Sequence, residues 1–280
     1  MKYPKSTIII SVYKDIDSLD LILETLAKQT IIPNEVLISE DGNSEEMRKF
    51  VEIAREKYKT LDITHLTQED DGWRKNIALN RAIVTSKYEY LIFIDGDCVP
   101  FDDFIENHVM QAEKKIVLSG KRTELGADIT AKIRLRELKA SKLTNNYLLY
   151  LIALIKDKTR HLEDLLHISY KSFLAPYIKR DVNYIIGCNW SAYKDDILAI
   201  NGFDETYRLP SVGEDVDLGW RFRGLGIELK SCRYNANMIH LYHKKRFGGN
   251  EGEINNEILW KNHAQNKFFC DNGIIKNVGK

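Results

Sequence analysis

YLIFIDGDCVP, residues 90–100, decides how the rest of the chain is read. Five largely apolar residues, 90–94, run without interruption into Asp95-Gly96-Asp97, and Pro100 closes the stretch. A short apolar run with no polar alternation suits a strand covered on both faces, as in parallel sheets. Carboxylates at the end of such a strand emerge where open α/β sheets bind ligands. An Asp-x-Asp pair there offers hard oxygens to Mg²⁺ or Mn²⁺ and, through the cation, to a diphosphate. Short Asp/Gly clusters after strands are also ordinary turns, so the neighbouring segments decide between the two readings.

Upstream, strand and helix patterns alternate. Residues 7–12 are β-branched and apolar, a buried strand. Leu19, Ile22, Leu23 and Leu26 then recur at i, i+3, i+4 and i+7, a helix that Asp17 can cap and Pro33 follows. Residues 35–39 form a second strand ending in Glu40-Asp41-Gly42-Asn43, and Asn43 with Glu46 reads as a capping box. Met47, Phe50, Val51 and Ala54 stripe the helix that follows, and 61–66 is a weaker third strand. Asp71-Gly72-Trp73-Arg74-Lys75 leads a third helix over 76–85. This order predicts a parallel sheet with right-handed crossovers. Asp41 and the Asp95/Asp97 pair then lie at carboxyl ends of strands and converge on one crevice.

Downstream, a helix is expected behind Asp102 and a strand over 115–119. Between 128 and 182 the alternation stops. Helical stretches over 131–143 and 145–155 replace it, dense in apolar residues and in lysine and arginine. They read either as an insertion packed on the sheet or as an acceptor-binding or membrane-surface lobe, since basic amphipathic helices sit on anionic lipid. Extended residues 183–193, a short helix over 195–200 and Gly202 at its end follow. Gly213-Glu214-Asp215 opens a helix that Gly226 stops, strands are expected at 227–232 and 237–241, and a last helix covers 253–269.

The chain has 280 residues, enough to bury a large core, and 41 basic residues balance 41 acidic ones. Bulk charge therefore points to no nucleic-acid partner. The N-terminus lacks a signal-peptide pattern, and the longest apolar stretch, 147–155, falls short of the ~20 residues that span a bilayer. Cys98, Cys188, Cys232 and Cys270 form no CxxC pair, which fits reduced thiols rather than a disulfide scaffold or zinc site. The expectation is a cytoplasmic protein, peripheral at the inner face of the membrane.

The segments TIIISVYK, LISEDGN, DDGWRKNIALNRAI, YLIFIDGDCVP, NWSAYKDDILAINGFDE, VGEDVDLGWRFR and MIHLYHKKR, in this order, carry a resemblance. On them the chain resembles the inverting family 2 of nucleotide-sugar glycosyltransferases. Its second half is similar to the galactosyltransferase-type C-terminal region also seen in chondroitin-polymerase-like enzymes. The helical insertion lies outside the resemblance. What it implies is an α/β chain of GT-A fold, a Rossmann-like mixed sheet flanked by helices, with a helical insertion. Residues 1–280 would be a single catalytic domain: a nucleotide-binding half over 1–120, the insertion over 121–182, and an acceptor-binding half with a C-terminal lid over 183–280.

The resemblance also implies roles. Asp41 matches the residue that accepts a hydrogen bond from the nucleobase, although Glu40 stands where the family more often has a second Asp. Asp71, Arg74 and Asn80 would position base, ribose or phosphates. Asp97 would bind the cation, with Asp95 on the ribose or acting through water. His240, or else His243, would complete the metal shell, and imidazole favours Mn²⁺ over Mg²⁺. Asp215 matches the general base and Glu214 a partner of sugar hydroxyls. Trp190 and Trp220 are candidates to stack on a sugar ring, with core packing the safer reading of Trp220. Residues 247–252 would form the mobile lid. YRLPSV, residues 207–212, replaces the Gly- and Trp-rich segment of the family, so the donor sugar does not carry over.

The expected reaction is metal-dependent transfer of a hexose or N-acetylhexosamine from a nucleoside diphosphate, UDP first, to a growing or lipid-linked glycan. Surface polysaccharide or lipopolysaccharide synthesis is the setting. A non-catalytic nucleotide- or glycan-binding protein would lack Asp97 or Asp215, and both are present. A sugar-phosphate nucleotidyltransferase wants a Gly/Arg-rich phosphate loop after the first strand, where SVYKDIDS stands instead.

Overall fold

The computed structural model describes residues 3–173, 177, 183–211, 213–244 and 248–276. Its frame is set by strands apolar on both faces. β1 (Ser6–Val12), α1 (Ile16–Leu26), β2 (Glu35–Glu40), α2 (Glu45–Lys57), β3 (Ile63–Leu66), α3 (Lys75–Thr85) and β4 (Tyr90–Asp95) follow the expected alternation. Because side chains alternate along a strand, Ile8, Ile10, Ile38, Ile92 and Ile94 pack toward α1 and α2. Ile9, Leu37, Leu91 and Phe93 join a second cluster with Leu79 and Ile83 of α3. Such two-sided burial is what an uninterrupted apolar strand requires.

β1 pairs in parallel with both β2 and β4, and β2 with β3, as predicted. Beyond β4 the sheet becomes mixed. After β5 (Cys98–Pro100) and α4 (Phe104–Met110) come β6 (Ile116–Ser119), β7 (Arg122–Glu124), α5 (Ala127–Arg134), α6 (Ala140–Asn145) and α7 (Tyr147–Lys156). β8 (Asn189–Tyr193), α8 (Lys194–Ala199), α9 (Glu214–Gly224), β9 (Glu228–Ser231), β10 (Met238–His240) and α10 (Glu251–Ala264) complete the order. The large sheet runs β3-β2-β1-β4-β8-β6-β9, with β8 antiparallel to β4 and β6. A small sheet runs β5-β10-β7 and sets His240 opposite Cys98 and Glu124.

Several local expectations change. Asp15, not Asp17, caps α1 by accepting from Ser18 N at 3.1 Å. Ser44, not Asn43, caps α2 by accepting from Met47 N at 3.2 Å, so the capping box is absent. The helix expected over 131–143 is two helices, because Arg136 takes a left-handed φ of 62° that ends α5. The last helix starts earlier and stops at Ala264, so residues 251–252 of the expected lid belong to α10. Residues 174–176 and 178–182 of the insertion, 212 before Glu214-Asp215, 245–246 at the end of MIHLYHKKR and 247 at the start of the lid lie outside the described residues. Among the described residues no helix is long and apolar enough to cross a membrane.

Candidate active site

The carboxyl ends of β2 and β4 open into a crevice of about 450 Å³ lined by Tyr13, Asp41, Trp73, Lys75, Asp97 and His243, among others. Gly96 makes this rim: its N–H donates to Ser11 O at 2.7 Å, and a Cβ there would lie 2.7 Å from Val12. The chain can cross β1 that closely only with glycine.

Asp41, at the end of β2, accepts from the backbone N–H of Arg74 at 2.8 Å and from Gln68 Nε2 at 2.6 Å. Burial nevertheless raises its pKa. Asp97 Oδ2 lies 3.6 Å from His240 Nε2 and 3.3 Å from His243 Nε2. Burial would favour the neutral acid, but the two imidazoles outweigh it and hold Asp97 well below the usual carboxylate range. Burial pushes His240 down, against the pull of Asp97. Asp97, Cys98 and His240 bring donor atoms within 4.8 Å of one another. An acid–imidazole set of this kind suits a divalent ion that accepts both oxygen and nitrogen.

The second group of acids comes from the first turn of α9. Asp215 Oδ2 accepts the N–H of Gly187 at 2.8 Å. A Cβ at residue 187 would stand 2.6 Å from Asp215 Oδ1, so glycine keeps that approach open. Among the described residues, Glu214 Oε2 is buried without a hydrogen-bond partner. Burial and then the charge of Asp215 push Glu214 up to about 8. Burial also raises Asp215, opposed by Lys75 and by the Gly187 N–H.

Lys75 joins the two groups. Its Nζ donates to Asp95 Oδ1 at 2.6 Å. Burial opposes the ammonium, but Asp95, Glu214 and Asp215 together outweigh it and raise its pKa. A single cation thus faces acids from both halves of the chain. The same helix fixes the halves to each other. Asn76 Nδ2 donates to Asp204 O at 2.9 Å, and Asn80 both donates to Phe203 O and accepts from Phe203 N at 2.8 Å. Arg221 Nε donates to Asp217 at 2.6 Å, and its Nη1 reaches the carbonyls of Ile200 and Gly202, which ties α9 to the same segment.

Of the residues singled out from sequence, Asp41, Asp95, Asp97 and His243 line the crevice. His240 adjoins it through Asp97, and Glu214 and Asp215 face it electrostatically through Lys75. Five others stand elsewhere. The Asp71 side chain is 70% exposed and pairs with Arg74 at 3.5 Å instead of lining the crevice. The Arg74 guanidinium bonds to Glu69 O, so its hydrogen bond to Asp41 comes from the backbone N–H and its side chain acts on Asp41 through charge alone. Asn80 is buried in the tie to Phe203. Trp190 is fully buried and stacked on Phe93, ring centroids 4.1 Å apart, so no sugar can reach it. Trp220 packs on His263 and Phe268, in keeping with core packing. Lys75 and Gly187 were not expected from sequence. Lys75 was visible as the first residue of a helix after a Gly turn, but it stands beside another cation and spacing does not rank the two.

The chain is similar to known proteins. Residues 7–190 match the model of glycosyl transferase family 2, and residues 168–244 match that of the N-terminal domain of galactosyltransferase. Among curated proteins the chain is similar to chondroitin synthase of Pasteurella multocida, 29% identical over 119 residues, which is 41% of this chain and 12% of that one. It is also similar to validoxylamine A glucosyltransferase of Streptomyces hygroscopicus, 30% identical over 121 residues, 41% of this chain and 26% of that one. The match thus spans only a small part of either relative. Among solved structures, a mannosyltransferase from Pyrobaculum calidifontis in complex with GDP-Man and Mn²⁺ aligns with a TM-score of 0.58 at 15% identity, over 95% of this chain and 64% of that one. GalNAc-T7 with UDP, GalNAc and Mn²⁺ aligns at 0.60 and 11%, over 87% and 45%. At these identities the likeness shows the fold, the GT-A arrangement expected from the resemblance.

Proposed function

The chain belongs to glycosyl transferase family 2, and from that premise we propose that it is an inverting, metal-dependent enzyme acting on a nucleoside-diphosphate sugar. The donor is a UDP-hexose or UDP-N-acetylhexosamine, and the acceptor is a hydroxyl of a growing or lipid-linked glycan. The observation that carries this reading is the meeting of Asp95, two residues before Asp97 and its two histidines, with Glu214 and Asp215, from the other half of the chain, around the Lys75 cation.

Asp41 accepts an N–H from the base of the donor. Asp97 with His240 or His243 holds Mn²⁺ or Mg²⁺, and Asp95 contacts the ribose or acts through water. The cation, when bound, supplies Lewis-acid neutralisation of the leaving diphosphate. Asp215 takes the proton of the acceptor hydroxyl as its oxygen bonds to the anomeric carbon. The bond from that carbon to the phosphate oxygen breaks, and the diphosphate leaves with the electron pair. Inversion requires the base on the face opposite the leaving group, so base and metal ligands come from different segments. Lys75 opposes the rise that burial imposes on Asp215 and so favours its ionised form, while Glu214, with its pKa raised to about 8, can donate to a sugar hydroxyl.

The test is nucleoside diphosphate release from a panel of UDP-sugars with Mn²⁺ and glycan acceptors. Asp215→Asn should lower turnover by ~10²–10⁴ while donor binding persists. Turnover unchanged in Asp215→Asn would remove the base assignment.

A further inference from the structure

α7 has the sequence YLLYLIALIK and is apolar on every side. Its inner face packs on the protein: Leu154 is fully buried, and Tyr147 and Tyr150 lie against the core. Its outer face, at i, i+1, i+4 and i+7, is Leu148, Leu149, Ile152 and Ile155, which are 80%, 82%, 68% and 57% exposed. A surface helix facing water carries polar residues on that side, and a contiguous aliphatic face marks an interaction site.

Charge identifies the occupant. Residues 131–160 hold eight lysines and arginines against two acids, in a chain where the two kinds are equal at 41 each. The basic residues divide by role. Arg134 pairs with Asp15 at 2.8 Å, Arg136 with Glu24 at 2.7 Å and Arg160 with Glu124 at 3.0 Å, which fastens this helical stretch to α1 and β7. Lys132, Lys139, Lys142, Lys156 and Lys158 are exposed and make no ion pair among the described residues. An aliphatic helix face with unpaired lysines around it matches an anionic bilayer surface, where acyl chains take the side chains and headgroups take the ammonium groups. A second copy docked through the same face would set lysines against lysines, which disfavours a symmetric dimer.

We propose that α7 and the lysines around it seat this protein on an anionic lipid surface. The mounting is firm. Glu124 and Arg160 exchange backbone hydrogen bonds of 3.0 and 2.8 Å, and β7 lies beside β10, which carries His240. Docking through α7 therefore gives the crevice a fixed orientation to the bilayer, as a lipid-linked acceptor requires. The docking surface itself does not depend on the assignment of donor, metal or base.

Co-sedimentation of the whole chain with vesicles of phosphatidylcholine, and of phosphatidylcholine mixed with phosphatidylglycerol, tests it. The protein should bind the mixed vesicles, release at high salt and bind pure phosphatidylcholine weakly. Leu149→Ser/Ile152→Ser should lower partition at least about tenfold, and Lys142→Gln or Lys156→Gln about fivefold each, with donor turnover on a soluble acceptor retained. The lysine variants, at exposed positions, guard against a fold defect in the first. Failure of the unaltered chain to bind mixed vesicles overturns the proposal. So does binding indifferent to the leucine and isoleucine changes, or a dimer in solution that those changes dissociate.

Discussion

Replacing Lys75 with methionine removes a cation while nearly preserving side-chain volume. The Lys75–Asp95 pair has an N–O distance of 2.6 Å, and its side chains are 20% and 27% exposed. Breaking a buried ion pair by deleting one partner costs ~3–5 kcal/mol. Partial exposure lets water screen the orphaned acid, so a loss of about 2–3 kcal/mol is expected. For a chain of this size that is a fall in melting temperature of about 4–9 °C. The catalytic consequence has a definite sign. Burial raises the pKa of Asp215 and Lys75 is the main opposing influence, so its removal moves Asp215 further upward. The acid limb of the pH–turnover profile then moves to higher pH. On that acid limb turnover falls by about tenfold for each full pH unit of displacement, while the plateau at higher pH changes less. Lys75→Arg retains the charge and should keep most of the wild-type profile. The assay is donor turnover across pH on both variants, with thermal unfolding on the same samples. A Lys75→Met enzyme with an unmoved profile and an unchanged melting temperature refutes the idea that this cation sustains the base.

Metal binding has a readout independent of turnover. At about 100 times its dissociation constant, Mn²⁺ with UDP should stabilise the protein by ~2.7 kcal/mol, a rise of about 5–10 °C. Asp97→Asn should abolish the Mn²⁺ part of that rise, and an equal rise in the variant would dismiss Asp97 as ligand. His108 gives the pH dependence of stability. It is fully buried, its Nδ1 lies 2.7 Å from Ser191 Oγ, and burial pushes its pKa from 6.5 down to about 3. The folded pKa is depressed, so the unfolded chain takes the proton first. The stabilisation is complete above about pH 6.5 and is lost as the pH falls toward 3, by ~2 kcal/mol between pH 7 and pH 5. Urea unfolding at both pH values should show that loss shrinking by ~2 kcal/mol in His108→Gln. The same pH dependence in both proteins would mean His108 is not its source.

The parts of this molecule that were legible in sequence are those whose signal is local. Residues 90–94 announce a strand buried on both faces because no polar residue interrupts them. Asp41 and Asp95/Asp97 follow as the lining of one crevice because parallel topology brings strand ends together. Asp215 is different: in sequence it is one of three acids in the first turn of a helix, a common arrangement, and only the family resemblance singles it out. The misses are long-range. Asn80 reads as a polar residue near a nucleotide, but its partner lies 123 positions away in Phe203. Trp190 reads as a sugar platform, yet it sits inside β8 facing Phe93. β5 and β7 are three residues each, too short for any periodicity to show.

Asn80 and the unexpected Lys75 both belong to α3. Lys75 at its start faces the acids of β4 and α9, while Asn76 and Asn80, one and five residues on, hold the segment 203–204. One helix therefore sets both the charge between the donor side and Asp215 and the spacing of the elements that carry them. Asn80 fits that role better than a donor contact, because both of its hydrogen bonds to Phe203 run to backbone and fix position without recognising a ligand. A transferase that inverts needs its base at a constant distance from the departing phosphate, since reacting groups must be held within a few tenths of an ångström of productive geometry. On the proposed mechanism α3 is the spacer: its buried amide–backbone hydrogen bonds hold residues 203–204, and Arg221 ties the helix of Asp215 to the carbonyls of Ile200 and Gly202 just before them.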